Sequence, residues 1–291
     1  MEFSVVIATK DRAEYLGRAL ESLAAQRDAP AFEVVVVDNG SSDATQAIVA
    51  ANVPALPAVR YVASPEPNRG KARNAGARAA SGRYLLFCDD DVQLPPHWIA
   101  AHAAAQARDG ACVVNGPIIN VASYESRPNP KPSNYSRAFL CTCNASLPRD
   151  AFIAVGGFDE TFRLYGWEDT ELGVRLRSAG LRWKFAWNAY LWHVKPPHEN
   201  TIAVESRKAV EKARMARLFI AKHASSRARM ATGAHPLNLF RARYLLPDWL
   251  LALYAGVATN ERTPHWVSSI ARAQFLDAMY ARELVRALDG E

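Results

Sequence analysis

The feature that most constrains the fold is an alternation of short apolar runs with helix-like stretches in the first third of the chain. The apolar runs are "FSVVIA" (3–8), "FEVVVVD" (32–38), "VRYVA" (59–63) and "RYLLFC" (83–88). Continuous runs of this length, rich in β-branched residues, are typical of buried parallel strands. Leucines at helical spacing predict a helix over 13–26, and Gly82 closes a second helical stretch. The chain is therefore predicted to be an α/β protein with parallel strands.

Length and composition predict a globular protein with one large domain or two modest ones. The chain has 291 residues, of which 49% are hydrophobic, enough to form a substantial core. We predict an α/β domain over 1–200 and a helical, basic region over 201–291. The four cysteines are too few for a disulfide scaffold and are interpreted as reduced thiols. The N-terminus is interpreted as a first strand rather than a signal peptide, and no transmembrane helix is expected.

The net charge of +6 is concentrated after the α/β pattern ends. Between Glu205 and Arg243 there are ten Lys or Arg residues and two Asp or Glu residues. This excess suits an anionic partner, such as phospholipid head groups or a phosphate-bearing acceptor, but a solvated basic helix face has the same composition. No nucleic-acid-binding motif is present, so nucleic acid is not expected as a partner. We expect a cytoplasmic protein, with peripheral contact at the inner face of an anionic membrane as an open addition.

Three consecutive acids follow the fourth predicted strand. Asp89, Asp90 and Asp91 stand between an apolar run and two prolines. Like charges this close repel one another unless positive charge lies among them. The carboxyl ends of strands in an open α/β sheet are where ligands bind, and hard cations prefer carboxylate oxygens. The triplet therefore predicts a site for Mg²⁺ or Mn²⁺ rather than a solvated acidic turn.

Two further segments have residues suited to a nucleotide. Asp38 ends the second predicted strand, where an acid can accept hydrogen bonds from a base or ribose, although it can equally cap a helix. Arg69, Lys71 and Arg73 surround the start of a predicted helix, whose amides already favour an anion. Because positive side chains there oppose the helix dipole, they indicate a bound diphosphate or base.

The second acidic pair, Glu168 and Asp169, lies at another predicted helix start. Acids at this position commonly complement the helix dipole, and that interpretation stays open. Asp169 lies three positions before the apolar Leu172, which predicts that it points inward, as a general base would. His193 ends an aromatic, strand-like segment and is either a packed residue or a metal ligand.

Together these segments resemble the inverting, nucleotide-sugar-dependent glycosyltransferases of the glycosyltransferase A fold, in particular the bacterial family 2. The resemblance spans roughly residues 3–195. It rests on seven segments in the family's order: "VVIATKDR", "VVVVDNGSSD", "NRGKARNAG", "LLFCDDDV", "GGFDE", "GWEDTEL" and "WH". It implies a Rossmann-like mixed sheet flanked by helices, with a helical C-terminal region that the resemblance does not cover.

The resemblance also implies a role for each candidate residue. Nucleotide-sugar binding falls to Thr9, Arg12, Asp38, Lys71, Arg73, Asp89 and Asp90. Asp91, the last acid of the D-x-D motif, would ligate Mn²⁺ or Mg²⁺ together with His193. Asp169 would be the catalytic base, with Glu168 and Trp167 near the acceptor.

The expected activity is sugar transfer from a nucleoside diphosphate donor, with UDP as the default base, to a saccharide or lipid-linked acceptor. The chain lacks a Q-x-x-R-W motif and membrane spans, which argues against polysaccharide extrusion. A sugar nucleotidyltransferase is the nearest alternative enzyme, but the glycine-rich N-terminal signature of that class is absent from "VVIATKDRAEYL". A non-catalytic nucleotide-sugar-binding protein is the remaining alternative.

Overall fold

The computed structural model describes residues 1–56, 58–196 and 201–290, which form two compact units. The first unit comprises Met1–Arg163 and Glu168–Pro196. The second comprises Leu164–Trp167 and the described residues from 201 onward. The domain boundary predicted at residue 200 lies outside the described residues.

The first unit is built on a seven-stranded sheet and a three-stranded sheet. Its strands are β1 (Phe3–Thr9), β2 (Phe32–Asp38), β3 (Val59–Ala63), β4 (Tyr84–Cys88), β5 (Val92–Gln93), β6 (Cys112–Asn115), β7 (Ile118–Val121), β8 (Asn144–Pro148), β9 (Arg182–Phe185) and β10 (Leu191–Val194). The larger sheet has the order β3-β2-β1-β4-β8-β6-β9, and the smaller has the order β5-β10-β7. The four strands predicted from apolar runs are present and mutually parallel, as expected.

Helices cover both faces of the larger sheet. Those of the first unit are α1 (Ala13–Ala24), α2 (Thr45–Asn52), α3 (Arg69–Ala79), α4 (Trp98–Asp109), α5 (Arg149–Ala154) and α6 (Glu168–Ser178). One apolar core includes α1 and α4 side chains, and the other includes those of α3, α5 and α6. Helix α3 lies close to the sheet at Gly76, where a Cβ atom would come within 2.5 Å of Val6 Cγ1. This close packing fixes the start of α3, which contains Arg73.

The sheet is mixed because β8 runs antiparallel to both of its neighbours. Its first residue, Asn144, pairs with Cys88, the last residue of β4. The chain that enters β8 therefore lies at the edge where the parallel strands end. Residues 141–143 reach the acidic triplet by this route.

Asn144 is anchored by a buried polar network. Its Oδ1 accepts a hydrogen bond from Trp98 Nε1 at 2.9 Å and lies 3.0 Å from His102 Nε2. Its Nδ2 donates to the carbonyl oxygens of Pro117 and Ala189. Burial lowers the pKa of His102 to about 4, so the imidazole is neutral. Because buried polar groups are costly to leave unpaired, this network fixes the start of β8.

The smaller sheet places His193 beside the acidic triplet. Strand β10 pairs antiparallel with β5, and His193 lies opposite Val92, the residue that follows Asp91. The backbone N–H of Val194 donates to the carbonyl oxygen of Asp91 at 2.8 Å. A strand pairing a hundred residues apart in the chain therefore positions the histidine.

The second unit is helical. Its helices are α7 (Ile202–Lys222), α8 (Ser226–Ala231), α9 (Pro236–Tyr244), α10 (Asp248–Thr259) and α11 (His265–Asp289). Its apolar core contains Ala213, Ala216, Ile220 and Leu284. The predicted helix breaks near Gly233 and Asn260 are present, and further breaks separate α7 from α8 and α9 from α10. None of the helices described combines the length and the apolar character needed to span a bilayer.

Candidate active site

The acidic triplet is held by residues at the end of β1 and the start of α1. Thr9 Oγ1 donates a hydrogen bond to Asp90 Oδ2 at 2.7 Å. Arg12 Nη1 lies 3.4 Å from Asp90 Oδ1 and 3.0 Å from Asp91 Oδ2. Arg12 thus supplies part of the positive charge that three adjacent carboxylates require.

The carboxylates of the triplet differ in protonation. Burial raises the pKa of Asp90 to about 7, with Arg12 opposing this effect and Asp91 adding to it. Burial also acts to raise the pKa of Asp91, but His193 and Arg12 outweigh it, and the pKa lies below its ordinary value. Asp91 is therefore the more anionic of the two buried acids.

His193 lies against both Asp91 and a cysteine. Its Nε2 is 2.9 Å from Asp91 Oδ1, a buried atom that makes no other hydrogen bond among the described residues. Its Nδ1 is 3.9 Å from Cys143 Sγ. Asp89, Cys143 and His193 also have one ligand atom each within 4.8 Å of one another.

These residues fit a divalent cation. Carboxylate oxygen and imidazole nitrogen are suitable ligands for Mn²⁺, and a buried carboxylate oxygen without a full set of hydrogen bonds is a natural ligand position. The sequence predicted Asp91 and His193 as the pair; the geometry adds Asp89 and Cys143 beside the same histidine. Cys143 was not predicted, because a soft thiol is not the ligand that such ions prefer.

Arg73 lies between the triplet and the second acidic pair. Its Nη2 donates to Asp89 Oδ1 at 3.0 Å, and its Nη1 is 4.0 Å from Glu168 Oε1. Burial acts to lower the pKa of Arg73, but Asp89, Asp169 and Glu168 outweigh it and raise the pKa. One buried guanidinium therefore compensates acids from two separate segments.

Asp169 is held by Thr142, which was not predicted. The Thr142 backbone N–H donates to Asp169 Oδ2 at 2.8 Å, and Thr142 Oγ1 lies 2.8 Å from Asp169 Oδ1. Burial and the neighbouring Glu168 raise the pKa of Asp169 to about 6, with Arg73 and Thr142 opposing them. The carboxylate is thus oriented and is basic enough to accept a proton near neutral pH.

Asp38 lies one strand away from the triplet, opposite Thr9 in the β1–β2 register. It accepts hydrogen bonds from Tyr61 Oη at 2.5 Å and from the Ser41 backbone N–H at 2.7 Å. Burial acts to raise the pKa of Asp38, but these hydrogen bonds outweigh it and lower the pKa. Tyr61 was missed because nothing in the pattern of its predicted strand distinguishes it from the other strand residues.

Two of the predicted residues make other contacts. Lys71 forms an ion pair with Glu66 on the surface, whereas Arg73, two positions further along α3, reaches the acids. Trp167 has a left-handed backbone, with φ of 71°, immediately before Glu168. Its ring stacks on Phe219 within the second unit, with 5.1 Å between the ring centroids.

Comparison with known proteins identifies the family of the chain. Residues 4–160, which contain the acidic triplet and Arg73, match the family described as "Glycosyl transferase family 2". The chain belongs to glycosyl transferase family 2. A second description, "N-terminal domain of galactosyltransferase", matches residues 124–199, which contain Asp169 and His193. The prediction made from the seven segments is therefore confirmed at the level of the family.

One relative is the validoxylamine A glucosyltransferase of Streptomyces hygroscopicus subsp. limoneus. It is 33% identical over 243 residues, which are 68% of this chain and 52% of that protein. The chain spans about half the length of this relative and of its counterpart from the subspecies jinggangensis.

Two solved structures show the fold. The mannosyltransferase PcManGT from Pyrobaculum calidifontis, in complex with GDP-Man and Mn²⁺, matches with a TM-score of 0.68 and 19% identity, covering 100% of this chain and 88% of that one. TarS 1–349 from S. aureus, in complex with UDP-GlcNAc, matches with a TM-score of 0.59 and 22% identity, covering 100% of this chain and 93% of that one. The predicted glycosyltransferase A fold is thereby confirmed.

Proposed function

We propose that this chain is a metal-dependent, inverting glycosyltransferase that moves a sugar from a nucleoside diphosphate to an acceptor hydroxyl in glycan or glycolipid synthesis. The observation that carries the proposal is the placement of Asp169. Thr142 orients this carboxylate, its pKa is about 6, and Arg73 links it to the D-x-D acids. A general base and a donor site thus share one edge of the sheet.

The donor side is assigned to residues at the ends of β1, β2 and β4. Asp38 is proposed to bind the nucleoside, because its carboxylate is anionic and fixed at the ligand edge. Thr9 and Arg12 position Asp90 and Asp91 beside the diphosphate.

Asp91 and His193 are proposed to hold Mn²⁺ or Mg²⁺, which supplies positive charge beside the leaving diphosphate. The Mn²⁺ complex of the mannosyltransferase with the same fold supports this assignment. Asp89 is proposed to line the nucleotide pocket and to remain paired with Arg73.

The acceptor hydroxyl attacks the anomeric carbon from the face opposite the diphosphate. Asp169 takes the hydroxyl proton as the new C–O bond forms and the bond to the diphosphate breaks. Because there is one displacement, the anomeric configuration inverts. Glu168 keeps the pKa of Asp169 raised, so the base is strong enough to accept the proton.

UDP is the favoured donor nucleotide, and the UDP-GlcNAc complex of TarS supports it. Calorimetric titration of UDP, GDP and dTDP, with Mn²⁺ and then with EDTA, tests the proposal. Metal-dependent binding of one nucleotide, lost in Asp91→Ala, is expected. Binding without any turnover of the sugar conjugate in the presence of acceptor candidates would favour the non-catalytic alternative.

The second unit is proposed to contact an anionic membrane surface. Its helices expose large apolar side chains, with Leu237 80% exposed and Trp249 and Trp266 each 68% exposed, and it contains the whole basic segment over 205–243. Exposed aromatic residues near basic ones are typical of interfacial binding. The free state of all four cysteines supports a cytoplasmic location.

Co-sedimentation with phosphatidylcholine vesicles, with and without phosphatidylglycerol, tests this contact. Salt-sensitive binding to the anionic vesicles alone is expected, and it should weaken in the Leu237→Ser, Trp249→Ser double variant. Equal recovery with both vesicle types, independent of salt, would contradict the preference for an anionic surface, and no binding to either type would contradict a membrane role.

A further inference from the structure

An aromatic cluster lies on β9 and the segment before β8, outside the residues assigned so far. Its members are Tyr135, Trp183, Phe185 and Trp187, all within the first unit. The Tyr135 ring centroid is 4.9 Å from that of Phe185 and 6.2 Å from that of Trp187, and Phe185 is 5.0 Å from Trp187. Strand β9 is the edge strand of the larger sheet.

Two rings of the cluster are presented to solvent. Tyr135 is 45% exposed and Trp187 is 44% exposed, and their ring planes are only 23° apart. The exposed parts of these two stacked rings present apolar surface to solvent, and each ring face has a negative quadrupole. The C–H face of a pyranose ring complements such a surface, because its hydrogens are weakly positive and its hydroxyls point outward to water.

The chain connects this cluster directly to the proposed base. Tyr135 begins a segment in which Phe139 packs on α6, with the Arg177 guanidinium 5.0 Å from its ring centroid. The same segment continues to Thr142, which holds Asp169 at the start of α6. Tyr135 of the cluster and Thr142, which holds the base, are therefore the two ends of one eight-residue segment, and Phe139 of this segment packs on α6.

The sheet register gives the scale of the separation. Phe185 pairs with Asn115, which pairs with Ala145, and the adjacent Asn144 pairs with Cys88 next to the D-x-D acids. Three interstrand spacings amount to about 14 Å. The cluster is therefore too distant to contact the sugar being transferred.

The donor nucleotide is an equally poor candidate for this surface. Its proposed partner Asp38 lies on β2, five strands from Phe185 in the sheet order and thus roughly 24 Å away. A saccharide acceptor could extend from Asp169 along the sheet edge toward β9. A sugar unit other than the one that carries the reacting hydroxyl would then lie at the cluster.

We propose that the aromatic cluster is a binding subsite for a saccharide unit of the acceptor, removed from the reacting hydroxyl. The proposal rests on the glycosyltransferase function given above and specifies its acceptor as an oligosaccharide, free or lipid-linked. Tyr135 and Trp187 supply the stacking surface, and Trp183 and Phe185 hold them in place.

The test compares saccharides of different length on the full chain. Saturation-transfer NMR and calorimetry are used with cello-, chito- and malto-oligosaccharides of one and four units, in the presence of UDP and Mn²⁺. The wild type is expected to bind at least one tetrasaccharide more tightly than its monosaccharide. Trp187→Ala should lower the affinity for that tetrasaccharide by about ten-fold or more and leave the affinity for the monosaccharide unchanged. Trp187→Phe should retain most of the tetrasaccharide affinity.

Ile153→Ala, at a residue of the first unit that is 46% exposed and comparable to Trp187 in exposure, is the control and should bind as the wild type does. UDP binding separates the two proposals, because it should be the same in all variants. If UDP does not bind the wild type, the glycosyltransferase function itself fails. If UDP binds but no tetrasaccharide does, or if Trp187→Ala binds the tetrasaccharide as the wild type does, the acceptor subsite alone is overturned.

Discussion

The two groups of acids at the ligand edge contain the same type of side chain, but the pKa is shifted in opposite directions at Asp91 and Asp169. Burial acts to raise the pKa of Asp91, but its contacts with His193 and Arg12 outweigh burial and hold the pKa below the ordinary value. Asp169 is buried beside another acid, Glu168, and burial and that neighbour raise its pKa to about 6. The neighbouring residues, rather than the residue type, decide which carboxylate stays anionic and which can exchange a proton.

Arg73 makes the contrast sharper because it belongs to both groups. It donates to Asp89 and lies 4.0 Å from Glu168, so it sets a fixed distance between donor acids and base. The difference in pKa between Asp91 and Asp169 therefore arises from the partners that the two groups do not share, and each of these partners can be substituted separately.

The largest effect is expected for Asp169→Asn. Removing a general base lowers kcat by roughly 10²- to 10⁴-fold, while metal-dependent UDP binding should be unchanged. Steady-state kinetics and calorimetry on the same preparation measure both quantities. Asp150→Asn, in the first turn of α5, is the control and should leave kcat unchanged. A variant Asp169→Asn with near-normal turnover would remove this residue from the mechanism.

Comparison of Asp91→Asn with Asp89→Asn identifies the metal ligand of the triplet. We expect Asp91→Asn to lower Mn²⁺-dependent UDP affinity by more than about 10-fold, since losing even an outer partner of a metal site costs 10- to 100-fold. Asp89→Asn should cost less, because Asp89 pairs with Arg73. The reverse order would assign the ion to Asp89, Cys143 and His193 instead.

The rate should rise with pH through about 6, because the base must be deprotonated and its pKa has this value. Thr142→Val removes a hydrogen bond to the charged Asp169 carboxylate, so the pKa of Asp169 should increase. The pH range over which the rate rises should therefore move to higher pH. At pH 6 the variant should be several-fold slower, and at pH 8 it should match the wild type. An unmoved pH profile would mean that Thr142 has no influence on the base.

The smallest effect is expected for Tyr61→Phe. The change removes one of the hydrogen bonds to the anionic Asp38, a kind worth about 1.5–3 kcal/mol, while the Ser41 backbone N–H still holds the carboxylate in place. UDP affinity should fall by about two- to ten-fold with kcat unchanged, measured by calorimetry and initial rates. A loss of turnover without loss of affinity would argue against a nucleoside-binding role for Asp38.

The first half of the fold could be predicted because β1, β2 and β4 are buried, largely apolar runs, with Thr9 and Asp38 at the ends of the first two and the acidic triplet directly after the third. The contacts of Asp38, Asp90 and Asp91 with neighbouring strands follow from parallel order alone. His193 is different, since its position depends on a pairing with β5 that no local pattern indicates. From the residues alone His193 was either a packed residue or a metal ligand, and the family resemblance implied the metal ligand.

Thr142 and Cys143 could not be predicted for a related reason. They precede a strand, and in a parallel sheet such residues lie at the edge opposite the ligand. Only the reversal of β8 brings them to the acids. The contact of Lys71 with Glu66 was also unpredicted, because the basic helix start does not reveal which side chain faces inward.

The order of the strands has a consequence for synthesis of the chain. The residues proposed to bind the donor, from Thr9 to Asp91, lie on βα units that follow one another in sequence and pair with near neighbours. Thr142, Asp169 and His193 are translated later and must join a sheet that already exists. A ribosome-bound chain therefore acquires the framework for the nucleotide before it contains Asp169, the residue proposed to activate the acceptor hydroxyl.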